Sequence, residues 1–236
     1  MDRFKHHFTD ANVIIAFLIS WDSAFERSSR YFAEIVCHRH TSSRVYYECK
    51  GVIEGRRRLL LNFISEFYNN IDTISEKGWN PENNIEKFVS SYIRRLEDKK
   101  NKIAVRQFSR VVMDDMKALL LGSARYRDFL TKVVNSFKFI LNELDSKCNS
   151  SENSIIKRHD ICSKAYTNLN HYSEKEDKLM RIINYHPDIL VLLDSYYLRK
   201  KIIKDDIAFI TFDNEHILKN KLEIEKILPG IHVLSP

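Results

Sequence analysis

Ile207-Ala208-Phe209-Ile210-Thr211-Phe212, closed by Asp213, is the stretch that decides the fold. A near-continuous apolar run suits a strand covered on both faces, the kind found inside a parallel sheet with helices packed over it. Upstream, His186-Pro187-Asp188 opens a helix to about Arg199, since proline is tolerated in a first helical turn. Downstream, Asp213-Asn214-Glu215-His216 caps a short helix, and Pro229-Gly230 turns into a last strand, Ile231 to Leu234. The other terminus repeats the alternation. A strand over about Lys5 to Thr9 leads to Asp10-Ala11-Asn12 and a helix carrying Val13, Ile14, Phe17 and Leu18. A second helix spans about Ala24 to Phe32, and Ile35-Val36-Cys37 reads as a second strand. Thr41-Ser42-Ser43 supplies a cap for a helix running past Glu48 toward Tyr68. Strand–helix alternation at both ends implies one parallel sheet assembled from the two termini.

Between them, from about residue 71 to 183, strand patterns vanish. Lys87 to Asp98, Ile103 to Ala118 and Tyr126 to Leu144 read as amphipathic helices, and Cys148 to Ser154 as a polar linker followed by more helix. The reading is an α/β fold with a central parallel sheet, built from residues 1–70 and 184–236, and a helical insertion over 71–183.

The 236 residues hold only 5 Gly and 4 Pro, too few turn formers for a sandwich of many short strands. A net charge of +6 suits a polyanionic partner, though a solvated basic surface would give the same number. Cys37, Cys49, Cys148 and Cys162 form no CxxC pair, and the opening residues carry no signal-peptide pattern. Free thiols and a reducing cytoplasm are expected. No apolar run reaches membrane-spanning length.

Groups beyond the carboxyl ends of parallel strands converge in one crevice. Asp10 and Asp213 each follow a strand, while Glu48 and Asp188 lie in the first turns of helices. Each has an ordinary explanation when taken singly: Asp10 a turn former, Asp213 an N-cap, Asp188 a favourable first-turn charge, Glu48 a solvated helix residue. Clustered, they repel one another until a hard divalent cation neutralises them. Such a cation can activate water and offset charge on a phosphate.

Four stretches resemble PIN-domain nucleases: Phe8-Thr9-Asp10-Ala11-Asn12-Val13-Ile14-Ile15, Val45-Tyr46-Tyr47-Glu48, Asp188-Ile189-Leu190-Val191-Leu192-Leu193-Asp194-Ser195, and Phe209-Ile210-Thr211-Phe212-Asp213. They fall in the family's order, over roughly residues 1–70 and 184–236. The resemblance implies a PIN-like three-layer fold and a divalent-metal-dependent endoribonuclease that leaves a 5′-phosphate. It implies Asp10, Glu48, Asp188 and Asp213 as catalytic Mg²⁺ or Mn²⁺ ligands, with Asn12 orienting Asp10 and Thr211 lining the site. The chain departs from the family in its long middle region and in the polar His6-His7 at its first strand, which suggests a weakly buried strand start.

Asp194 competes with Asp188. Six residues apart at ~100° per residue, the two diverge by about 240° around the helix axis, which leaves Asp194 a supporting role. His216, three residues after Asp213, is a candidate phosphate contact or a plain surface residue. His6-His7 and His38-Arg39-His40 lack zinc-ligand spacing. Arg56, Arg57, Arg199 and Lys200 are candidates for holding an RNA backbone, and Tyr46, Tyr47, Tyr196 and Tyr197 for stacking bases of single-stranded RNA. A toxin with a cognate antitoxin, an RNA-processing enzyme and a homo-oligomer all remain open. The alternative is an inactive PIN-fold protein that binds RNA or a protein partner.

Overall fold

A computed structural model describes residues 3–75, 80–161 and 170–236. It is an α/β protein with one six-stranded, all-parallel sheet flanked by helices. The strands are β1 (His6–Thr9), β2 (His38–Ser42), β3 (Cys148–Asn149), β4 (Ile156–His159), β5 (Ile207–Ile210) and β6 (Ile231–Leu234), in the order β3-β4-β2-β1-β5-β6. All four residues of β5 are buried, and β5 pairs with β1 on one side and β6 on the other.

By contact, the chain divides into two compact units. The first comprises residues 1–18, 24–50 and 143–236 and contains the whole sheet; the second comprises residues 19–23 and 51–142. The expectation of helix alone from 71 to 183 is therefore corrected at its far end, where Cys148–Asn149 and Ile156–His159 are strands of the sheet. The presumed linker is a tight turn between them. Ser151 N donates to Asn149 Oδ1 at 2.8 Å, and Ser154 Oγ donates to the Ser151 carbonyl at 2.8 Å. Cys162 and the first part of the helix expected after that linker lie, at 162–169, outside the described residues, while Asn170–Met180 is helical as expected.

In the first unit, α1 (Ala11–Leu18) and α2 (Phe25–Glu34) cross from β1 to β2. Val13 and Tyr31 from these helices join Ala208 and Ile210 of β5 in one buried cluster. The second strand is not Ile35-Val36-Cys37 but the polar segment that follows it. Val36 is 95% exposed. The polar residues of β2 are satisfied within the sheet: Thr41 Oγ1 donates to the Thr9 carbonyl at 3.1 Å, and His40 lies between two other histidines. Arg39 leaves the strand to bind the end of α2, donating to the carbonyls of Tyr31, Phe32 and Ile35. His7 likewise reverses the expectation of a weakly buried start. It is fully buried, stacked on Tyr31 with Nδ1 3.1 Å from the phenol oxygen.

A long helix, α3 (Ser43–Asn69), begins where Ser42 Oγ accepts from Val45 N. In the second unit, α4 (Ile71–Ser75), α5 (Pro81–Arg95), α6 (Lys99–Val111) and α7 (Met113–Leu120) precede α8 (Tyr126–Lys147). The single helix expected over Ile103 to Ala118 breaks at Val112. Trp21 meets Phe108 and Phe137 edge-on in that unit's core. Then come α9 (Asn170–Met180) and α10 (His186–Tyr197), the latter packed against β2 and β5, and α11 (Lys221–Ile227) between β5 and β6. Among the described residues no helix is long and apolar enough to cross a membrane.

Candidate metal centre

The order β3-β4-β2-β1-β5-β6 makes the chain leave β1 toward β2 but leave β5 toward β6. Connections diverging from neighbouring strands open a crevice at their carboxyl ends, here between β1 and β5. Asp10 ends β1, and Thr211-Phe212-Asp213 ends β5.

Hydrogen bonds fix this junction. Asp10 N donates to the Ile210 carbonyl, and the Asp10 carbonyl accepts from Val13 N and Ile14 N, which starts α1. Asp10 Oδ1 accepts from Ala11 N at 2.7 Å; Oδ2 accepts from Asn12 Nδ2 at 2.9 Å and Thr211 Oγ1 at 2.7 Å. Thr211 Oγ1 also accepts from Asn12 Nδ2 and from Asp213 N, both at 3.0 Å. Asn12 Oδ1 closes the ring by accepting from Phe212 N. Thr211 thus uses its one donor and both lone pairs. Replacing it with Val is expected to leave Asp213 N and one Asp10 bond unmade, costing about 2 kcal/mol. At roughly 2–4 °C per kcal/mol for a chain of this size, Tm should fall by about 4–8 °C, measurable by thermal unfolding.

The Asp10 carboxyl is buried and its pKa is raised to about 7. Burial is the largest cause; the charges of Glu48 and Asp213 push the same way, while bonds from Thr211 and Ala11 N oppose them. Glu48 is exposed on the second turn of α3, and its charge reaches Asp10.

Among the described residues Asp188, Asp213 and His216 come together, each offering one ligand atom, all within 4.8 Å of one another. His216 Nδ1 lies 3.3 Å from Asp188 Oδ2 and 3.2 Å from Asp213 Oδ2. Asp213 divides its two oxygens. Oδ1 accepts from Glu215 N and His216 N as a cap, and Oδ2 faces the imidazole. Two carboxylate oxygens and one imidazole nitrogen form a donor set that fits a divalent cation such as Mn²⁺. The structure therefore brings Asp188 and Asp213 together with His216, and ties Asp10 and Glu48 to them by charge rather than within the same tight group.

The other candidates fall elsewhere. Asp194 is buried against Arg44 Nε at 3.2 Å. Arg199 pairs with Asp206, just ahead of β5, at the amino edge of the sheet and opposite the acids; Lys200 Nζ lies 5.8 Å from the Tyr196 ring centre. In the second unit Arg56 pairs with Asp22 and Arg57 with Glu54. Tyr46 is buried and donates to Asp145, Tyr196 is buried, and Tyr47 is exposed. A cation that sequence reading passed over, Arg27, lies 4.6 Å from the ring centre of Phe212, the residue between Thr211 and Asp213. As a lone arginine in Phe25-Glu26-Arg27-Ser28 it belongs to no basic cluster, so charge runs do not reveal it.

No family model, curated protein or solved structure matches the chain.

Proposed function

We propose that this protein is a divalent-metal-dependent endoribonuclease whose centre lies beyond the carboxyl ends of β1 and β5. The observation that carries the reading is the meeting of Asp188, Asp213 and His216 beside Asp10, whose carboxyl holds its proton through burial first and the charges of Glu48 and Asp213 second. So many acids in one crevice oppose folding unless a cation gathers them. A bound Mg²⁺ or Mn²⁺ supplies an activated water and offsets charge on the phosphate. Asp188, Asp213 and His216 would hold it, with Asp10 and Glu48 facing it across the crevice. Asn12 and Thr211 hold the Asp10 carboxylate in one orientation by the bonds already described, and outer partners of this kind tune a metal site. Arg27, over the ring of Phe212 between Thr211 and Asp213, is a candidate for contact with the RNA backbone.

Metal binding has its own readout. A ligand at ~100 times its Kd stabilises the folded state by about 2.7 kcal/mol, so saturating Mn²⁺ should raise Tm by roughly 5–10 °C. Asp213→Asn should lose most of that rise. An unchanged Tm in wild-type protein at millimolar Mn²⁺ would count against a metal centre here. Tight RNA binding with no cutting under any metal would favour an inactive binding protein instead.

A further inference from the structure

Tyr185 is built into the acidic group at two points. Its ring stacks on His216, centroids 6.1 Å apart and planes 25° from parallel. Its carbonyl accepts from Asp188 N at 3.2 Å. The residue sits in extended conformation, φ −117° and ψ 104°, just ahead of α10. Pro187 in the first turn fixes the entry of the chain into that helix. Backbone and ring are thus both anchored to residues of the proposed metal centre, yet the side chain remains 53% exposed.

We propose that Tyr185 is a stacking platform for an unpaired base next to the phosphodiester held at the Asp188–Asp213–His216 group, which makes single-stranded RNA the preferred substrate. The proposal rests on the nuclease reading of that group. A tyrosine that only covered His216 would do so equally well as an aliphatic side chain of the same size. A half-exposed aromatic ring stacked on His216 at the lip of the proposed metal centre has a π-face to offer, and every base can stack on it without regard to sequence. A base inside a duplex already has both faces covered and cannot take the place. Stacking on one aromatic residue contributes about 10-fold or more in affinity.

The test separates the platform from the chemistry. In an Asp10→Asn background with Mn²⁺ present, binding of a fluorescein-labelled single-stranded RNA of about ten nucleotides is followed by anisotropy. Tyr185→Ala and Tyr185→Leu should each weaken binding about 10-fold, while Tyr185→Phe and Tyr185→Trp keep it. An abasic oligonucleotide of the same length should bind weakly and equally to all five proteins, and so should a duplex. If Tyr185→Leu binds as tightly as the parent, or the abasic strand binds as well as the normal one, the platform is wrong. Cutting by protein with the native Asp10 is scored separately. Its absence would overturn the nuclease reading, while the binding comparison would still decide the role of Tyr185.

Discussion

Incubated with labelled single-stranded RNA and Mn²⁺, the wild-type protein is expected to cut internally, to stop when the metal is chelated, and to lose about 100-fold or more of its rate on Asp10→Asn or Asp213→Asn. Asp10 is the more informative position. Asn keeps the volume and can still accept from Ala11 N, but it replaces an acceptor of two hydrogen bonds with an amide that must donate. It also removes the charge that Glu48 and Asp213 oppose. The lost bonds should lower Tm about as much as Thr211→Val does, yet leave the variant folded at assay temperature and inactive, a combination that circular dichroism beside the cleavage assay resolves. The control is Asp205→Asn, an exposed acid at the amino edge of the sheet, whose rate should stay within about twofold of wild type. Equal losses at Asp205 and Asp10 would mean that net charge, not a centre at the β1–β5 crevice, governs RNA cleavage.

The parts of this arrangement that sequence reveals are those where burial and chemistry agree. β5 is buried on both faces and is written in apolar residues, Asp10 follows β1 directly and Asp213 comes three residues after β5, so topology puts both at one edge. β2 escapes detection because its residues are satisfied by one another instead of by apolar packing. His40 is buried through hydrogen bonds to imidazoles on β1 and β4, and Thr41 through the Thr9 carbonyl. Periodicity of hydrophobicity has no means of reading such a strand, and the adjacent Ile35-Val36 draws the eye to what is a loop. β3 and β4 are missed because they total six residues amid serines and asparagines whose hydrogen bonds shape a turn. The place of His216 depends on the turn that Asp213 itself caps, which folds residue 216 back over residue 213. An offset of three residues fits a helix surface just as well, so spacing alone leaves that role open.

The polar strand has a thermodynamic consequence, and it is large. His6 Nδ1 lies 3.1 Å from His40 Nε2, and His40 Nδ1 lies 3.0 Å from His159 Nε2, a row of three imidazoles across β1, β2 and β4. In a neutral row each contact has one donor and one acceptor. Adding a proton turns an acceptor into a donor, and it charges a buried ring. Burial, followed by the charges of His159, His6, His38 and Lys157, lowers His40 from 6.5 to about 3. His159 is lowered to about 4, by burial first and then by Lys157. The unfolded chain takes up the His40 proton below pH 6.5, whereas the folded chain resists until about pH 3. Stability is therefore complete above the unfolded value and is lost as pH falls between the two. At 1.36 kcal/mol per unit, the loss attributable to His40 is on the order of 4 kcal/mol by pH 3.5. The His40 contribution to the urea midpoint should be flat above pH 7 and fall from pH 6 toward 4, against the opposite trend from the raised Asp10, which is common to wild type and a His40 variant. His40→Gln offers one donor and one acceptor to the same neighbours but cannot titrate. It should be less stable than wild type at pH 8 and should lose less on acidification, so the two curves converge. Carboxylate protonation is common to both proteins and cancels in the difference. Parallel curves would show that the buried imidazole row does not oppose protonation, and would remove it as the source of acid sensitivity.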